Sequence, residues 1–228
     1  MQVVPCSLCA LLCRLCTLSL AVVLSGLTEG CATEDLVKKS DGYYQEGIAD
    51  INTDQQRAFV SFQKAIQLNP DHRDAHYYVG HIYTIQGRYE KAEAEFREVL
   101  RIDPDYPEAH NHLGEVLQVQ GRWGEAIRSY RRALTYPLYE TPDVAWYNLG
   151  EALAQEGDME AAKQAFERAL RVSPPTVPQG LLHYQLGRTY YRLGDDARAR
   201  EALTRSAKLD PGGRAGSEAE KLLERLKP

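Results

Sequence analysis

Three groups of residues in this 228-residue chain have types and spacings that could do chemistry. The first is cysteine. All five, Cys6, Cys9, Cys13, Cys16 and Cys31, lie within the first 31 residues. Two C-x-x-C pairs invite a zinc reading, because paired thiolates at that spacing can close a tetrahedral site. Structural zinc sites place their pairs on a longer loop, however, and only three residues of an apolar stretch separate these. The four therefore read as small apolar residues. The second group is histidine: His72, His76, His81, His110, His112 and His183. His72 and His76 stand one helical turn apart, as two metal ligands can, but no Cys or acidic partner at ligand spacing completes a set. The third is carboxylate, with 32 Asp and Glu against 27 Lys and Arg and a net charge of −5. These acids are dispersed, Glu90 beside Lys91 and Glu160 near Lys163, as on solvated helix faces. There is no phosphate-cradling glycine loop, no G-x-S-x-G and no H-E-x-x-H. The expectation is a chain without enzymatic activity, cofactor, metal or small-molecule substrate. With no run of Lys and Arg, it lacks the basic stripe that nucleic-acid binding needs.

Residues 1–30 differ in kind from the rest. They are apolar, with one basic residue, Arg14, and one acidic residue, Glu29. The stretch Leu15 to Leu27 has the length of a signal-peptide core and is short for a bilayer span. An export signal is expected. The alternative is an uncleaved anchor that also uses Val3 to Leu12, with Arg14 placed unfavourably inside it. Cys31 follows in the context L-T-E-G-C, which resembles a bacterial lipobox. Gly30 fits the position before the cysteine; Thr28 and Glu29 depart from the pattern. Lipidation of Cys31 is the expectation, and cleavage nearby with a free thiol is the alternative. Ala32, rather than Asp, after the cysteine resembles sorting to the outer membrane. No disulfide can tie the remaining chain, since no cysteine follows Cys31.

What positions the remaining candidates is a repeat. Gly80, Gly114, Gly150 and Gly187 are spaced by 34, 36 and 37 residues. Gly87, Gly121, Gly157 and Gly194 keep the same spacings, as do Ala92, Ala126, Ala162 and Ala199. The extra residues fall in 135–143 and 173–180, both rich in proline and turn formers. Each unit reads as two amphipathic helices around a tight turn. Gly80 and Ala92, with their equivalents, let the two helices approach closely. Tyr83, Phe96, Leu113, Leu117, Tyr130, Trp146, Leu149 and Phe166 are expected to fill the space between. Ala58, Phe62, Ala65 and Pro70 mark a further unit upstream, with Tyr43, Tyr44 and Gly47 on its first helix.

The spaced residues His76, Val79, Gly80, Tyr83, Gly87, Ala92, Phe96, Val99 and Pro104 resemble the tetratricopeptide (TPR) signature. The expected fold is all-α, a TPR solenoid of five helix-turn-helix repeats at 39–72, 73–106, 107–142, 143–179 and 180–213. A signal peptide at 1–30 and a linker at 31–38 precede it. A capping helix within 214–228, expected from Glu218 to Leu226 with Ser217 as its cap, closes the last unit. In the final unit Leu203 replaces the aromatic, and Ser206 stands where Ala or Val is usual. His76, His110 and His183 share the repeat position of Trp146, which points to packing between helices.

In TPR arrays the first helix of each pair lines the concave face. One register of it reads Tyr44, Tyr77, Asn111, Tyr147 and Tyr184. Its neighbour reads Gln45, Tyr78, His112, Asn148 and Gln185. A turn further on stand Ile48, His81, Glu115, Glu151 and Arg188. Tyrosines interleaved with amides suit a protein segment, since each ring offers area at low entropic cost and its hydroxyl a hydrogen bond. The candidate groove is Tyr44, Tyr77, Tyr78, His81, Asn111, His112, Tyr147, Asn148, Tyr184 and Arg188. The alternative is that these tyrosines only cover the helices beneath. Arg188 and Arg192, both in the last unit, are the groove's basic residues, which disfavours a chaperone-type carboxylate clamp.

An exported chain of tandem TPRs, with Tyr136-Pro-Leu-Tyr-Glu-Thr-Pro142 ahead of Val144-Ala-Trp-Tyr-Asn-Leu-Gly150, resembles the type IV pilus biogenesis/stability proteins, the PilF/PilW/Tgl-like pilotins. The resemblance implies an outer-membrane lipoprotein, facing the periplasm, that helps a secretin subunit assemble. The alternative function is a general envelope scaffold for polysaccharide export, cell-wall or outer-membrane assembly. Soluble periplasmic or inner-membrane-anchored placements are the alternatives for localisation.

Overall fold

The computed structural model describes residues 34–226, and among them every regular element is a helix. The signal segment and Cys31 lie outside the described residues. The helices are α1 (34–50), α2 (Gln55–Leu68), α3 (Arg73–Ile85), α4 (Tyr89–Ile102), α5 (Pro107–Val119), α6 (Trp123–Ala133), α7 (Pro142–Glu156), α8 (Met159–Ala169), α9 (Gln179–Arg192), α10 (Asp196–Leu209) and α11 (Arg214–Arg225). The described residues divide into two compact units at Ala75 and His76.

The first unit contains α1 and α2. Residues 34–38, expected as linker, are already helical. Glu34 and Asp35 open this helix and Lys38 and Lys39 follow, so Lys38 pairs with Glu34 one turn back at 2.9 Å. The Asp54 carboxylate caps α2 by accepting from the Arg57 amide at 3.0 Å. Gly47 has no substitute here: a Cβ would lie 2.5 Å from the buried Phe62 ring. The Ser40 hydroxyl ties α1 to α2 by donating to the Ala65 carbonyl at 2.8 Å. His72 is structural. Its Nδ1 accepts from the Ala75 amide at 3.2 Å, an N-cap of the helix that follows.

In the second unit successive helices pair as α5–α6, α7–α8 and α9–α10, with α11 against α9 and α10, and Gly80 of α3 faces Phe96 of α4. The turn inside each pair carries a glycine in the left-handed region, Gly87 at φ 69°, Gly121 at 75°, Gly157 at 92° and Gly194 at 77°. A side chain strains that conformation, so the glycine fixes where one helix stops and the next starts. The helix-facing glycines have a different reason. A Cβ at Gly114 or Gly150 would reach 2.5 Å from Tyr130 or 2.6 Å from Phe166. One edge of each ring occupies the space at the glycine, and Phe96, Tyr130 and Phe166 are all buried. At Gly187 the same close approach is made by Leu203. Ser206, the polar exception, is fully buried and donates to the Gly180 carbonyl at 2.8 Å. The last pair thus repeats the serine-to-carbonyl tie of the first.

Two further expectations are corrected. Trp146 is half-buried rather than core, with the Arg168 guanidinium 4.9 Å from its ring centre. The closing helix starts at Arg214, four residues before Glu218, and Ser217 does not cap it. Asp210 supplies the cap, its carboxylate accepting from the Gly216 amide at 3.1 Å. This corner needs Gly216 as well as the Gly212–Gly213 pair, because a Cβ at Gly216 would overlap the Asp210 carbonyl oxygen. The helix closes its pair: Ala219 and Leu226 join Ala199 and Leu203 in one buried cluster.

The lengthened connections are anchored. After α6, Tyr139 is buried with Ala133 and Ala145, while Tyr136 donates to Asp105 at 2.8 Å. Leu138 between them is 92% exposed. After α8, one oxygen of the fully buried Asp143 accepts from the amides of Thr176 and Val177 at 2.6 and 2.7 Å. That carboxylate on α7 takes up amides that a proline-rich loop cannot pair with itself.

Candidate functional site

Within the second unit, the groove residues form a seam that recurs from one first helix to the next. The Asn148 amide on α7 donates back to α5, to Asn111 at 3.2 Å and to Glu115 at 3.0 Å. One repeat later the Gln185 amide on α9 donates back to α7, to the Tyr147 hydroxyl at 3.2 Å and to Glu151 at 2.8 Å. One repeat earlier His112 on α5 takes the same place, with its ring centre 5.5 Å from that of Tyr77 and 5.6 Å from that of His81 on α3. Three pairs of neighbouring first helices are thus coupled through the same three registers. The spacing explains it: the positions two residues before, three before and one after the helix-packing glycine lie on one face.

Several of these positions are therefore less open than the sequence suggests. Asn111 and Gln185 are buried. Tyr77 is wedged among Tyr78, Phe96, Tyr106 and His112, with ring centres 5.3 to 6.1 Å away. Burial, then the field of Tyr106 and Glu108, pushes its hydroxyl above the ordinary tyrosine range. His112 also stacks on the core ring of Phe96 at 5.6 Å. Tyr78 and Tyr184 are half-buried, and Tyr184 packs against the closing cluster of α10 and α11. Tyr44 belongs to the first unit, where it lies 4.9 Å from His72 and 5.9 Å from Phe62.

The seam's two carboxylates differ. Glu115 receives Asn111 at 2.9 Å, His112 at 2.9 Å on its other oxygen, and Asn148. Burial pushes its pKa up, but these hydrogen bonds and the His112 charge together outweigh burial and hold it below the ordinary value of 4.5. Glu151 receives Tyr147 at 2.8 Å and Gln185, both on one oxygen. Here burial prevails over the Tyr147 bond and the Arg188 charge, and the pKa is raised.

Beside Glu151 the seam opens. A cavity of about 870 Å³ lies between α7, α9, the end of α10 and the start of α11. Tyr147, Tyr184 and Arg188, expected from the sequence, line it, and so do Leu181, Leu209 and Arg214, which were not. Among the described residues no cluster of three His, Cys, Asp or Glu could hold a metal, and no helix is long and apolar enough to cross a membrane.

Four models of the tetratricopeptide or TPR repeat match the sequence, over 61–94, 80–121, 107–136 and 143–211. The chain is a tetratricopeptide-repeat protein. No curated protein matches it in sequence. Among solved structures it is similar to PilF of Pseudomonas aeruginosa, at 23% identity, 86% of this chain, 94% of that chain and a TM-score of 0.66. PilW, a widely conserved type IV pilus biogenesis factor, is similar at 24% identity, 82% and 92% coverage and a TM-score of 0.64. YrrB, a TPR protein with an unusual peptide-binding site, is similar at 22% identity, 83% and 98% coverage and a TM-score of 0.68. At these identities the likeness is one of fold.

TPR proteins are in general scaffolds for protein–protein interaction, and this chain is of that kind. Its repeats explain why the cavity escaped the sequence reading. The register that exposes Tyr147 and Tyr184 is periodic, whereas Leu209 and Arg214 belong to the corner where the period ends. The one available signal was the Gly212–Gly213 break, which sends α11 back toward α9.

Proposed function

We propose that this TPR chain is an envelope lipoprotein that holds a segment of a client protein in its groove, and that the client is a secretin subunit of a type IV pilus. The observation that carries the reading is the fold likeness to PilF and PilW, which covers 86% and 82% of this chain and 94% and 92% of theirs. The apolar stretch before Cys31 supports an exported, lipid-anchored protein on the periplasmic side of the outer membrane. The groove supports a peptide-like client: the half-buried Tyr147 and Tyr184 line a cavity of a size that takes a few side chains.

Crosslinking in intact cells, followed by identification of partners from outer membranes, tests the client. Recovery of the secretin, with loss of secretin multimers when the gene is deleted, is the expected result. Recovery of polysaccharide-export or cell-wall proteins, with normal secretin multimers, overturns it. Cys31→Ser tests the anchor: the variant is expected in the soluble fraction without fatty-acid label. A wild-type protein that is itself soluble and unlabelled removes the lipoprotein claim.

A further inference from the structure

The cavity between α7, α9 and α11 has a charge pattern that specifies its ligand. Three carboxylates line it, and each already has a partner. Asp210 caps α11 through the Gly216 amide. Glu218 pairs with Lys221 at 2.7 Å. Glu151 accepts from Tyr147 and Gln185. The two arginines of the lining have no carboxylate at ion-pair distance among the described residues, although the Arg188 charge reaches Glu151 and the Arg214 charge reaches Glu218. Arg188 donates to the Gln185 side-chain oxygen at 3.0 Å and lies 5.5 Å from the Tyr184 ring centre. Among the described residues neither it nor Arg214 forms an ion pair. Both are exposed at the rim, one on α9 and one on α11. The lining also holds two aliphatic side chains, Leu181 half-buried and Leu209 52% exposed. The second oxygen of Glu151 accepts from no group among the described residues, leaving an acceptor for a ligand N–H.

A guanidinium offers a planar fork of donors that matches a carboxylate, and two of them lining one cavity suit an acidic group of a ligand. The exposed leucine adds a place for an aliphatic or aromatic side chain. We infer that the cavity binds an extended peptide segment through an acidic side chain held between Arg188 and Arg214, with the neighbouring apolar side chain against Leu181, Tyr184 and Leu209. Because both arginines stand at the rim, the peptide can pass between them, and the anionic group is a side chain, not a chain end. This rests on the proposed client-binding groove and names the client sequence it prefers, an acidic residue next to an apolar one.

The test uses the full chain and an array of acetylated, amidated decapeptides that vary every position. Bound peptides are expected to share an acidic–apolar pair. In solution, changing that acidic residue to its amide is expected to weaken binding about tenfold or more. Arg188→Gln and Arg214→Gln should each do the same with unchanged helix content, since both side chains are exposed. Equal affinity for acid and amide peptides overturns the inference, as does binding that requires a free C-terminal carboxylate. Peptide binding lost in Tyr147→Ala but unaffected in both arginine variants overturns the inference alone and leaves the groove standing. No binding of any peptide overturns the inference and the groove together.

Discussion

The α5–α7 and α7–α9 seams are the same construction with different outcomes. In both, an amide on the later helix donates to a carboxylate on the earlier one, at 3.0 Å to Glu115 and 2.8 Å to Glu151. At Glu115 the donors Asn111, His112 and Asn148 reach both oxygens. At Glu151 the donors Tyr147 and Gln185 reach only one. Hydrogen bonds to a buried charge favour folding only when they exceed its desolvation, so the first seam is a joint and the second is an incomplete site. The cavity lies at the incomplete one. A repeat protein can thus be rigid at one interface and receptive at the next without altering its backbone, by exchanging residues in three registers.

The largest expected difference comes from removing the later amide. Asn148→Ala takes one hydrogen bond from Glu115 and one from the buried Asn111, and should cost about 2–3 kcal/mol in chemical denaturation. Gln185→Ala should cost less than half of that, because the carboxylate it leaves is already poorly matched. Equal losses would remove the distinction between the seams.

A smaller effect separates the carboxylates themselves. Glu115→Gln should destabilise by about 1–2 kcal/mol, reduced because a third of the side chain stays in water. Glu151→Gln should be neutral or slightly stabilising, since its raised pKa means that the native state disfavours the charge at neutral pH. Two melting curves at pH 7.5 decide this by the sign of the change.

The smallest effect concerns the α3–α5 seam. Burial, then the neighbouring His112, lowers the His81 pKa from its ordinary 6.5. The unfolded chain therefore binds the proton more readily, and native stability falls as pH drops through about 6.5. His110 and His183 are lowered by burial too and add in the same direction. His81→Gln should reduce the loss between pH 7.5 and 5.5 by under about 1 kcal/mol without abolishing it. A variant whose stability falls as much as wild type would show that His81 is not part of it.

What was legible in the sequence follows from what is local. The glycine rulers could be read because close helix approach and a left-handed turn each demand glycine at a fixed place. The core aromatics Tyr83, Phe96, Tyr130 and Phe166 could be read from their offset to those glycines. Asn111, Asn148 and Tyr147 were recognised as groove residues, but their bonding was not, because donors 33 to 38 residues away meet only once the helices stack. The start of α11 was misread because Ser217 resembles a cap, whereas the cap used, Asp210, lies before the glycine pair and reaches across it.

The most direct test pairs stability with binding in two variants, one from each seam. For Asn148→Ala and Arg188→Gln, melting temperature and the affinity for an acidic–apolar peptide are measured on the same samples. The account predicts that Asn148→Ala lowers the melting temperature by several degrees and binds like wild type while folded. It predicts that Arg188→Gln melts like wild type and binds about tenfold more weakly. A reversed outcome, with the arginine variant unstable and the asparagine variant unable to bind, would contradict it.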